Sequence, residues 1–110
     1  MVLTKEGNTT IVSPEEKTFS GFKDALTASY STLKNDHIIV ALFSFEALTI
    51  PEVLEFLQVS NSHRAAKKSF VLVTKKIGYQ DVPETLCVVP SIQEAKDLIE
   101  MEEIERDLDL

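Results

Sequence analysis

Residues 37–43 read His-Ile-Ile-Val-Ala-Leu-Phe, and this nearly unbroken apolar run constrains the chain more than any other feature. A half-exposed strand alternates apolar and polar residues. A run of this kind instead fits a strand covered on both faces, in the middle of a sheet flanked by helices. It gives way to a turn, Ser44-Phe45-Glu46-Ala47-Leu48, and then to a helix start, Thr49-Ile50-Pro51-Glu52. Thr49 and Glu52 have the spacing of a capping box, in which the hydroxyl oxygen accepts from an early helix N–H and the carboxylate reaches back to the cap. Pro51 falls in the first turn, where a missing N–H costs nothing.

The flanking elements follow from periodicity. Strands are expected at 2–6 and 9–14, joined by the hairpin signal Gly7-Asn8 and ended by Pro14, which cannot donate to a ladder. Phe19, Phe22, Leu26, Tyr30 and Leu33 recur at steps of three and four, which predicts a helix over 19–33 that Asn35-Asp36 terminates. The helix opened by Thr49 is expected to run to about residue 66 and to bury Ile50, Val53, Leu54, Leu57 and Ala65. A buried strand at 69–74 leads into a polar connection, 75–84, with Gly78 and Pro83 as breakers and room for one helical turn. A short strand at 85–89 precedes a last helix with a second capping box, Ser91 and Glu94. Ile92, Ala95, Leu98, Ile99 and Ile104 fit its buried side, and the acidic tail 102–110 is expected to fray. The order β-β-α-β-α-β-β-α predicts a single α/β domain over residues 1–110, with a mixed, mainly parallel sheet of about five strands and three helices.

Charge narrows the partners. Eleven basic against eighteen acidic residues give a net charge of −7, of which residues 91–110 carry −6. Such a field repels phosphates, so nucleic acid is not an expected ligand. One cysteine, Cys87, forms no internal disulfide and points to a reducing compartment. The first residues lack the apolar core of a signal peptide, and no stretch approaches the roughly 20 apolar residues of a membrane span. The expected location is the cytoplasm, without membrane contact.

Chemistry-bearing residues are sparse. His37 and His63 stand apart in sequence with no other His or Cys at ligand spacing, so neither a metal nor another cofactor is expected. Cys87, inside an apolar strand, reads as a small core residue rather than a reactive thiol. Arg64, Lys67 and Lys68 near a helix end complement its dipole, and the acidic run 100–105 reads as a solvated face. No catalytic residue is expected.

The run 38–57, the strand 69–73 and the segment 86–99 together resemble the STAS domain of bacterial anti-sigma-factor antagonists and of the cytoplasmic ends of sulfate transporters. In that family an apolar strand ends in a loop carrying an Asp-Ser-Ser-Gly-type motif, one serine of which is phosphorylated by a partner anti-sigma kinase. Thr49-Ile50-Pro51-Glu52 stand at that position here, and only Thr49 keeps a hydroxyl. The resemblance implies a non-catalytic, regulatory protein-interaction module without the usual serine phosphoswitch. Its binding residues would be Phe45, Glu46, Leu48, Thr49 and Glu52, with Phe45 and Leu48 as apolar anchors unless both are core residues at a strand end. The partner would be an anti-sigma-type or other protein, and the reading leaves room for a homodimer. The chain also resembles small proteins that bear the name ribonuclease Z, but that enzyme needs a histidine-rich two-metal site, which two lone histidines do not supply. Two other roles stay open: an accessory subunit of a nucleic-acid-processing enzyme, and small-ligand binding, which requires a sizeable concave pocket.

Overall fold

The computed structural model describes residues 1–108. In chain order these form β1 (Val2–Glu6), β2 (Thr9–Ser13), α1 (Phe19–Leu33), β3 (His37–Ala41), α2 (Ile50–Leu54), α3 (Leu57–Ala65), β4 (Phe70–Val73), one 3-10 turn at Tyr79–Asp81, β5 (Cys87–Val89) and α4 (Ile92–Leu108). The five strands make one sheet in the order β1-β2-β3-β4-β5. β1 and β2 are an antiparallel hairpin, turned at Gly7 with φ 60°, and the other three pairings are parallel. A glycine at the first central position is what a two-residue turn of this hand requires. The α/β class and the mainly parallel five-stranded sheet are as the sequence predicts.

Each parallel connection steps to the next strand in the same direction. Right-handed crossovers then place every connecting segment on one face of the sheet. Accordingly Phe19, Phe22 and Leu26 of α1, Val53 and Phe56 of the second helical stretch, and Ile77 of the 3-10 connection share one core with Val12, Ile38, Val40, Phe70 and Leu72. The opposite parity of the same strands, Ile39, Val71 and Val73, packs against Ala95 and Ile99 of α4. All five residues of β3 are buried. The apolar run is therefore the midplane of the molecule, with helices on both sides.

Two expectations need correction. The helix predicted over 49–66 breaks at Glu55-Phe56, where Glu55 and Phe56 bond back to Glu52 and Val53 at 3.1 Å in the tighter 3-10 pattern. The break lets Phe56 enter the core, edge-on to Phe19 with centroids 5.5 Å apart and tilted on Phe70 at 6.3 Å. The buried side is Val53, Phe56, Ser60 and His63, whereas Ile50 and Ala65 are exposed and Leu54 and Leu57 half-buried. The tail 102–108 does not fray: α4 continues through Leu108 because Glu102 and Glu103 are tied to the sheet, as described below. Ile104, assigned to its buried side, faces out. The tail's last two residues, 109–110, lie outside the described residues. No helix among the described residues is long and apolar enough to cross a membrane.

The end of α3 carries a backbone irregularity. Lys67 has φ 68°, the left-handed region, and closes a Schellman motif in which Lys67 N–H bonds to Arg64 O at 3.0 Å and Lys68 N–H to His63 O at 3.2 Å. A side chain there costs roughly 1–2 kcal/mol, against about 0.5–1 kcal/mol of extra unfolded-state entropy for glycine. Lys67→Gly is therefore expected to raise stability by about 0.5–1 kcal/mol in urea titration; a lower midpoint would show that Lys67 is held by something its side chain does.

Candidate functional site

The loop predicted to carry contacts crosses the carboxyl end of the sheet. Leu42 still belongs to it, donating its N–H to Val73 O at 2.9 Å, and Phe45 N–H turns back to Leu42 O at 3.2 Å. Thr49 then caps α2 as its sequence indicates. Its Oγ1 accepts from Glu52 N–H at 3.3 Å, while its own N–H and hydroxyl both donate to Glu52 Oε1, at 2.9 and 3.1 Å. A hollow of about 390 Å³ sits beside this cap, lined by Lys17, Phe19, Ser44, Phe45, Glu46, Ala47, Leu48 and Glu52.

Of the five residues singled out, the hollow gathers Phe45, Glu46, Leu48 and Glu52; Thr49 lies outside its lining. Their exposures differ. Glu46 and Thr49 are exposed, and Phe45 and Glu52 half-buried. Leu48 is only 9% exposed and packs in the main core. Phe45 leans on the same core, its ring 5.8 Å from Phe19 and 5.9 Å from Phe22. The apolar side chains that reach solvent are two others, Phe43 at 51% and Ile50 at 40% exposure. The run 38–43 gave no sign that Phe43 differs from its neighbours, because the sheet register ends at Ala41 opposite Val73 and composition does not mark that edge. In chemical terms the rim offers apolar contact beside carboxylates, with Lys17 as the nearby cation.

The two histidines lie at the opposite, amino end of the strands, and both are buried. His37 Nδ1 accepts the Ser69 N–H at 2.9 Å, which leaves Nε2–H to donate to Glu103 Oε1 at 2.9 Å. His63 Nε2 lies 2.7 Å from the Asp36 carbonyl, so it carries the proton, and Nδ1 receives the Tyr30 hydroxyl at 2.7 Å. Each ring is thus a neutral Nε2–H tautomer with its other nitrogen occupied. Around them Arg64 bridges α3 to Glu102 at 2.9 Å, to Phe70 O at 3.1 Å and to Cys87 Sγ at 2.9 Å. Ser69 Oγ donates to Glu102 at 2.6 Å and accepts from Arg106 at 2.9 Å. Burial pushes the Cys87 thiol pKa up despite the guanidinium beside it. Among the described residues no three His, Cys, Asp or Glu side chains gather where they could hold a metal ion.

No protein-family model matches the chain, and no curated protein matches it either.

Burial holds both histidines below their ordinary pKa. For His37, Glu103 pulls the other way while Arg106 and Lys68 reinforce the shift. For His63, the Asp36 carbonyl opposes, and His37, Lys68 and Arg64 reinforce. The folded pKa values lie below the unfolded ones, so below about pH 6.5 the unfolded chain binds more protons. Stability is full above that pH and falls as pH drops toward the folded values, with a slope of up to about 2.7 kcal/mol per pH unit for two protons. Urea midpoints between pH 7.5 and 5.5 should show this fall. His37→Gln and His63→Gln should each remove about half of the slope, and an unchanged slope in both would refute it.

The exposures set a second expectation. Leu48→Asp buries a charge and should unfold the chain or cost more than about 3 kcal/mol. Phe43→Ser and Ile50→Ser should each stay within about 0.5 kcal/mol of the parent, and thermal melts followed by circular dichroism separate the two cases.

Proposed function

We propose that this chain is a non-catalytic, cytoplasmic protein-interaction module of STAS-like build, which holds a protein partner through the rim at 43–52. The observation that carries this reading is the pair of solvent-facing apolar side chains, Phe43 and Ile50, which stand in the chain directly before and among the loop residues that line an acid-edged hollow at the carboxyl end of the central strand. Exposed apolar side chains around a concave spot are where a partner gains desolvation energy. Phe45, Glu46 and Glu52 form the wall and edge of the contact, and Leu48 supports it from below. The position agrees with the loop through which anti-sigma-factor antagonists, which the chain resembles, meet their partners.

Regulation by phosphate at this loop is not part of the proposal. Thr49 Oγ1 is engaged in the helix cap, and a phosphate there would face the Glu52 carboxylate that shares it.

A photo-crosslinking residue placed at position 43 in the native cell should yield a discrete protein adduct that the same probe at Ser20 on α1 does not, and Ile50→Asp should abolish it. Equal adducts from both positions, or an adduct indifferent to Ile50→Asp, sinks the reading. Incubation with an anti-sigma kinase and labelled ATP should leave the chain unlabelled; label on Thr49 would restore the phosphoswitch.

A further inference from the structure

We propose that the outer side of α4, together with the groove it forms with the β4–β5 connection, is a second docking surface, separate from the rim, that takes a basic amphipathic helix. α4 has two unlike sides. The inner one buries Ala95 and Ile99 and sets Glu102, Glu103 and Arg106 against the sheet. The outer one carries Met101, Ile104 and Leu108 at steps of three and four, each more than half exposed, while Leu98 is half-buried against the second core. A surface helix ordinarily turns a polar face to water, so an apolar stripe at this spacing is unpartnered surface that the chain's own core does not use.

The stripe runs into a hollow of about 710 Å³, walled by Ile77, Tyr79, Val89, Pro90, Leu98 and Met101, where Glu94 and Asp97 outnumber the one lining cation, Lys75. Tyr79 stands 77% exposed at its edge. From Met101 to Leu108 the stripe is about 10 Å long, two helical turns, which accommodates the i, i+3/4, i+7 anchors of one partner helix.

Charge selects the occupant. Asp97, Glu100, Glu105 and Asp107 edge the stripe, and none of them meets a cation within ion-pair distance among the described residues; Lys96 is turned away to Glu6 at 3.0 Å. Closing two such faces on each other would bring like carboxylates together out of water, which disfavours a second copy at this site. A helix with an apolar seam and flanking lysines or arginines neutralises the rim as it covers the stripe.

The probe is a fluorescent amphipathic Leu/Lys peptide several turns long, compared with a scrambled peptide of the same composition by anisotropy at low and high salt. The patterned peptide should bind at least about tenfold tighter than the scrambled one, with affinity falling as salt rises. The double variants Met101→Ser with Ile104→Ser, and Asp97→Lys with Glu105→Lys, should each weaken it about tenfold, and Tyr79→Ser should weaken it as well. Phe43→Asp, at the rim, should leave peptide binding unchanged. No binding, equal binding of the scrambled peptide, indifference to the α4 substitutions, or loss with Phe43→Asp would each overturn the assignment, as would sedimentation showing that the α4 face closes on a second copy.

Discussion

Burial of β3 on both faces at once is the constraint from which the rest of the architecture follows. Ile38 and Val40 point into one core and Ile39 into the other. Covering only one side would leave a stripe of large aliphatic groups in water, at roughly 25 cal/mol for each Å² of apolar surface. The chain answers with same-face crossovers, which place α1, α2 and α3 together, and with a separate helix, α4, for the other side. Since β2, β3, β4 and β5 are laid down in sequence order without reversal, it is that last helix, among the described elements, that covers the second face.

The second core is therefore the thinner one, and it needs other ties. Among the described residues its buried members are five, against sixteen in the main core. The polar cluster at the amino ends of the strands makes up for this by pinning α4 near its middle and carboxyl end. Glu102 joins Arg64 and Ser69, Glu103 joins His37, and Arg106 reaches Ser69. Desolvating such groups is costly, and removing one partner would strand another. The cluster accordingly gives α4 a defined position more than it adds net stability. It also makes that position sensitive to the neutral state of His37, because a proton on Nδ1 would displace the Ser69 N–H.

Much of this was legible in the chain. The apolar run, the capping box at Thr49, the Ser91 hydroxyl that caps the last helix, the Gly7 turn and the spacing of Phe19, Phe22, Leu26 and Leu33 are local signals, and local signals place elements. What stayed hidden depends on contacts across the sheet. Ser60 and His63 are polar, so periodicity did not count them as core, yet both are buried because α3 lies over β4 and His63 finds Tyr30 and the Asp36 carbonyl there. Ile50 and Ala65 carry the periodic apolar signal instead, and both face water. The tail looked like a solvated charge run because Glu102 and Glu103 resemble their neighbours until Arg64 and His37 arrive from more than thirty residues away. At the rim, Phe43, Phe45 and Leu48 were indistinguishable by type. Only the end of the β3–β4 register and the aromatic cluster around Phe19 separate the exposed ring from the supporting ones.

The two ends of the parallel sheet thus differ in kind. At the amino end, side chains from α1, α3, β3 and α4 close on one another through hydrogen bonds that occupy both histidines. At the carboxyl end the backbone emerges into turns whose apolar side chains are only partly covered. Ligand crevices in open parallel sheets form where the strand order reverses and adjacent connections part to opposite faces. Between β2 and β5 the order never reverses, and the connecting segments crowd onto the same side. That topology gives the carboxyl end an apolar-edged hollow beside a capped helix, set on the side to which the connecting segments crowd.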